Sequence, residues 1–112
     1  MEIISWQSAD FQSEQVKVNV LAQNNSAKEI QILMAENSVM KEHKAPFAIS
    51  VQVLSGEIEF SVYDEVATLM ALDMVCLDAL VPHSLHALKD SIVRLSLAKN
   101  DSIERVEGVV NG

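Results

Sequence analysis

The side chains of this sequence best equipped for chemistry are three histidines and one cysteine: His43, His83, His86 and Cys76. Neutral imidazoles are good ligands for borderline divalent metals, and a thiolate is either a ligand or a nucleophile. A tight metal site offers three or four protein ligands, so two imidazoles alone hold a metal weakly. Cys76 stands among Met74, Val75 and Leu77, a setting that predicts a small buried apolar residue rather than a reactive thiol. The carboxylates Glu29, Glu36, Glu57 and Glu59 show no spacing that would aim an acid and a base at one substrate. The chain has three glycines, Gly56, Gly108 and Gly112, and neither a phosphate-cradling glycine loop nor a paired-cysteine motif nor a Ser-His-Asp order. Hydrolase and nucleotide-binding readings therefore have no support.

The elements that must position these residues read as short strands. Val16, Val18 and Val20 alternate with Lys17 and Asn19, the period of two of a strand with one buried face. Glu29 to Ala35 is rich in Ile, Leu and Met and fits a strand or a helix; Glu36, Asn37 and Ser38 close it, Asn tolerating the left-handed backbone of a tight turn. Phe47 to Leu54 alternates, turns at Ser55-Gly56 and alternates again from Glu57 to Tyr63, which predicts a hairpin. Val66 to Leu72, Val75 to Leu77, Ser84 to Leu88 and Ile92 to Ala98 follow at turn-punctuated intervals, the series expected of a barrel or sandwich. Pro46 and Pro82 fall at strand margins, where a missing N–H does little harm. The last stretch, residues 101–112, loses the alternation and predicts one helical turn near Ser102 to Val106 before a frayed end.

Composition bounds the answer further. A chain of 112 residues, 49% hydrophobic but 4% aromatic, predicts one domain over 1–112 with an aliphatic core. Met34, Met40, Met70 and Met74 are expected to fill gaps in it. Sixteen acidic and eight basic residues give a formal charge of −8, and the unclustered Lys and Arg make nucleic acid and membrane surfaces poor partners. The lone cysteine and the amino-terminal MEIISWQSADF, without a basic start or apolar run, point to a reducing cytoplasm.

With the Gly56 turn and the Val81-Pro82-His83 corner in place, the chain resembles the cupin superfamily over about residues 15–98. The family's two motifs are roughly G(X)5HXH(X)3,4E(X)6G and G(X)5PXG(X)2H(X)3N. On the first, Asn37 takes the opening Gly position, His43 the first His, Ala45 the second His, Ile49 the Glu and Gly56 the closing Gly. On the second, Leu72 and Asp78 replace Gly and Pro, Leu80 replaces the next Gly, His83 matches the His, and Ala87 replaces Asn. The resemblance implies an all-β fold, the cupin double-stranded β-helix, a jelly-roll-like antiparallel barrel. In the family its interior presents three His and a Glu to a divalent metal, commonly iron, manganese, zinc, nickel or copper, and many members pair as homodimers.

Only His43 and His83 carry over as metal-ligand positions, so the implied set is incomplete and a divalent metal (Zn, Fe, Mn or Ni) would bind weakly. Gln52 and His86 have the wrong strand parity to substitute for the lost ligands, and Glu42 and Cys76 are the other candidates. The expected pocket is bounded by His43, Ala45, Phe47, Ile49, Val51, Cys76 and His83. Three functions remain open: a small-molecule-binding protein, a metal-dependent dioxygenase or isomerase using His43 and His83, and a dimerisation module with a vestigial pocket. A fold does not choose among them.

Overall fold

The computed structural model describes residues 1–111; Gly112, the end of the expected tail, lies outside the described residues. The described strands are β1 (Val16–Gln23), β2 (Ala27–Met34), β3 (Val39–His43), β4 (Ile49–Ser55), β5 (Glu57–Val62), β6 (Glu65–Met70), β7 (Met74–Leu77), β8 (His83–Ala87) and β9 (Ser91–Ala98), followed by a helix α1 (Ile103–Asn111). One sheet has the order β1-β2-β9-β4-β7, the other β3-β8-β5-β6, and every pairing is antiparallel. The fold is an all-β cupin-type double-stranded β-helix.

Alternation sets the core. Ile49, Val51 and Val53 of β4 and Val93, Leu95 and Leu97 of β9 face Met40 of β3, Ile58 and Phe60 of β5 and Leu85 and Ala87 of β8 in one buried cluster. Fully burying each such aliphatic side chain contributes about 1.5–3 kcal/mol, and among the described residues Phe60 is the cluster's one aromatic ring. β2 is buried on both faces from Ile30 onward, which explains why its sequence fits a helix as well as a strand. Its outer face is covered by the amino-terminal segment: Gln31 Nε2 donates to the carbonyls of Trp6 at 3.1 Å and Ser8 at 3.2 Å.

The alternating runs around Ser55-Gly56 do not form the expected hairpin. β4 pairs with β7 and β9, whereas β5 pairs with β6 and β8, so the chain crosses from one sheet to the other at Gly56. Gly56 has φ +94°, and a Cβ there would lie 2.2 Å from Ser91 Oγ. Ser91 begins the strand after the return crossing from β8 to β9, and its Oγ accepts the Glu57 N–H at 3.0 Å. Two sheet-changing corners are thus packed against each other, and only a glycine fits between them.

The other positions aligned with motif glycines behave the same way. Asn37 has φ 73°, Leu72 φ 77° and Leu80 φ 68°. The left-handed turns are kept although two of the residues are now exposed leucines, for which that conformation costs roughly 1–2 kcal/mol each.

Three expectations are corrected. β3 was not foreseen, because Val39–His43 has one buried residue, Met40, among exposed ones. Met70 and Met74 are exposed rather than in the core, because both lie on β6 and β7, the outer strands of the two sheets. The tail is a nine-residue helix, not one turn. Ser102 caps it, its Oγ accepting the Arg105 N–H at 3.1 Å, and Val106 packs into the core cluster.

Candidate functional site

His43 and His83 reach the same place from paired strands. In the β3–β8 register Met40 faces Leu85 and His43 faces His83, so β3 carries one extra residue between the two pairs. Strict alternation would turn His43 outward from Met40. The bulge places Lys41 and Glu42 outward in succession and brings His43 back to the interior. The ring centroids are 4.2 Å apart with planes at 58°, and His83 stacks on Phe60 at 5.7 Å.

Each imidazole is held in one tautomer. His43 Nδ1 lies 2.6 Å from the Lys41 carbonyl and His83 Nδ1 2.9 Å from the Val81 carbonyl. A carbonyl only accepts, so both Nδ1 atoms donate and both Nε2 atoms carry the lone pair. Burial holds both rings below the usual histidine range, the carbonyl bonds oppose this, and the Arg105 charge adds to the depression. His83 is lowered further by His43.

The pocket floor is apolar: Ile32, Met40, Ile49, Val51, Leu85 and Leu95 surround the imidazoles, and α1 closes the mouth with Arg105 and Val106. Its volume is about 20 Å³, room for about one water. Arg105 is fixed by Asp101, its Nε donating to Oδ1 and its Nη2 to Oδ2, both at 2.8 Å. A roomier open cleft of about 320 Å³ lies between β1 and the end of α1, but no histidine or cysteine lines it.

Of the residues assigned to the pocket from sequence, His43, Ile49, Val51 and His83 meet there. Ala45 is buried in the β3–β4 connection, where its carbonyl accepts the Leu80 N–H at 2.8 Å, and it does not line the cavity. Phe47, 38% exposed in the same connection, stays outside. Cys76 is exposed, not buried: its register partner is Ser50, on the outer side of β4, and the two side chains meet there at 3.7 Å. Gln52 lines an outer-surface hollow, and His86 lies 3.9 Å from Glu59 across β5–β8, as their parity predicted.

Arg105 and Val106 were missed. The available signal was Ser102 as a helix cap followed by apolar Ile103, Val106, Val109 and Val110. Nothing in the spacing of Arg105 tells that this helix folds back over the barrel mouth.

The donor set does not fit the metal that the resemblance implies. Among the described residues no group of three or more His, Cys, Asp or Glu is placed to hold a metal ion. Ala45 and Ile49 supply no donor where a second His and a Glu would stand, and the third polar group lining the pocket is a permanent cation, Arg105.

The fold is that of a small cupin-type domain, a double-stranded β-helix, here with an imidazole pair in its interior. A cupin superfamily protein from Desulfitobacterium hafniense superposes with TM-score 0.78 at 15% identity, covering 88% of this chain and 90% of that one. An RmlC-like cupin from Shewanella frigidimarina gives TM-score 0.75 at 17% identity over 95% and 96% of the two chains. A conserved protein with a double-stranded β-helix domain from Klebsiella pneumoniae gives 0.72 at 17% over 88% and 89%. At such identities the likeness establishes the fold. No known family's sequence profile matches the chain, and no curated protein matches it in sequence.

Proposed function

We propose that this chain is a small-molecule-binding protein whose site is the His43–His83 pocket and which needs no metal ion to bind. The observation that supports this most directly is the donor set: two neutral imidazoles, with Nδ1 tied to the backbone and Nε2 free to accept, share the pocket with apolar side chains and the Arg105 cation, and among the described residues no third metal donor joins them. Apolar walls with a few converging polar groups are the usual build of a ligand site. A metal-dependent dioxygenase or isomerase has weaker support, since Ala45 and Ile49 leave the pair without further donors. The test is a small-molecule screen read by thermal shift on protein treated with chelator. Ligands should stabilise the chelated wild type and lose their effect in His43→Ala and His83→Ala. Stabilisation that disappears on chelation and returns with added metal would support the enzyme reading instead.

A second reading, self-association, draws on a different observation. Val66, Met70, Leu72 and Met74 are all exposed along β6, the following turn and β7, and these are edge strands of the two sheets. Unpaired edges with apolar side chains favour pairing with a second copy, so a homodimer is proposed; a monomer by light scattering would remove it. The unpaired, exposed Cys76 supports a reducing, cytoplasmic setting. Among the described residues no helix is long and apolar enough to cross a membrane.

A further inference from the structure

The charges around Arg105 bear on what the pocket accepts. A guanidinium has five N–H bonds, and the side-on pairing with Asp101 uses one on Nε and one on Nη2. Three remain. Asp101 is 2% exposed and already committed, since its Oδ1 also accepts the Ser102 N–H at 2.8 Å. Its backbone carbonyl accepts from Lys28 Nζ. The carboxylate is thus committed to Arg105 and the Ser102 amide, and Lys28 approaches through the backbone carbonyl only.

The unused guanidinium N–H groups at the pocket act in opposite directions on two kinds of ligand. A divalent cation at the imidazoles would meet the Arg105 charge with no carboxylate among the lining residues to offset it. A carboxylate would meet unused N–H donors beside apolar walls, where charge-assisted hydrogen bonds are strong and arginine's fork matches its geometry.

Building on the reading of the pocket as a binding site, we propose that it takes the carboxylate of a small hydroxy acid. Arg105 holds the carboxylate through the N–H groups that Asp101 does not use, and Nε2 of one imidazole of the His43–His83 pair accepts the single proton of the neighbouring hydroxyl. The present cavity of about 20 Å³ admits only about a water, so such a ligand enters as α1 shifts outward. Because Arg105 and Val106 both lie on α1, helix position and ligand capture are coupled.

The test is nuclear magnetic resonance of the full chain, following the ring nitrogens of His43 and His83 and the Arg105 Nε–H. The probes are sodium glycolate, its neutral counterpart ethylene glycol, and zinc chloride. Glycolate should move all three sets of signals saturably, ethylene glycol should not, and Arg105→Gln should weaken the glycolate response at least tenfold. The Arg105 signal in the wild type decides the matter even if that variant folds poorly. Equal responses to ethylene glycol, or a glycolate response that leaves Arg105 unmoved, would overturn the carboxylate proposal while leaving the pocket a binding site. Saturation of the imidazole signals by one equivalent of zinc would overturn it in favour of a metal. Silence from both organic probes would count against the carboxylate and the pocket together.

Discussion

His43 and His83 are register partners across β3 and β8, with ring centroids 4.2 Å apart, and the extra residue that β3 carries after Met40 is what turns His43 to face its partner. Two imidazoles this close, half or fully buried beside a guanidinium, resist protonation.

Stability should therefore fall on mild acidification. Both folded-state values are lowered from 6.5, so above that pH both states are neutral and the pair contributes no pH dependence. Below it the unfolded chain binds protons first, which favours unfolding until the folded rings also titrate. Urea midpoints should drop between pH 7.5 and pH 5, and a His43→Gln/His83→Gln variant should show a shallower drop. An equal drop in that variant would assign the effect to other groups.

Leu72→Gly and Leu80→Gly should each stabilise the protein by about 1 kcal/mol. Both leucines are exposed, at 73% and 59%, and hold φ 77° and 68°, so glycine relieves backbone strain at little loss of packing, partly offset by its greater freedom when unfolded. Their N–H bonds to the carbonyls of Val53 and Ala45 do not involve the side chains. Chemical denaturation measures the change, and a loss of stability in both would refute the strain argument.

Gly56→Ala should cost about 2–4 kcal/mol. The added Cβ meets Ser91 Oγ at 2.2 Å and the Asp90 carbonyl at 2.5 Å, in a conformation of φ +94°. A Gly56→Ala/Ser91→Gly double variant removes the hydroxyl but not the carbonyl contact or the strain, so it should recover only part of the loss. Full recovery would mean that the side chain alone sets the constraint.

Asp101→Ala should destabilise by roughly 3 kcal/mol and loosen α1 first. The substitution removes the buried partner of Arg105 and the acceptor of the Ser102 N–H. Amide hydrogen exchange should speed up across residues 103–111 before the strands of the core respond. Uniform acceleration over the whole chain would show instead that the helix is not a separable unit.

The sequence by itself determined most of the barrel. Alternation in Ile49–Val53 and Ile92–Ala98 marks strands with one buried face, because side chains on a strand have a fixed period of two, whereas the alternating Val16–Val20 forms a strand whose Val20 is 45% exposed beside the bulge of β1. Motif alignment put Asn37, Gly56, Leu72 and Leu80 at glycine positions, and the structure shows that all four hold a left-handed φ. The alignment also identified His43 and His83 as the pair that meets. Tertiary structure alone decided which strands pair: the runs flanking Gly56 look like a hairpin, since a period of two does not say which sheet a strand joins. Register with Ser50 turned Cys76 outward, against the apolar character of its neighbours. Most of all, the return of α1 over the barrel mouth put Arg105 beside the imidazoles. That contact joins residues 62 positions apart in the case of His43, and long-range packing of this kind leaves no local pattern in the chain.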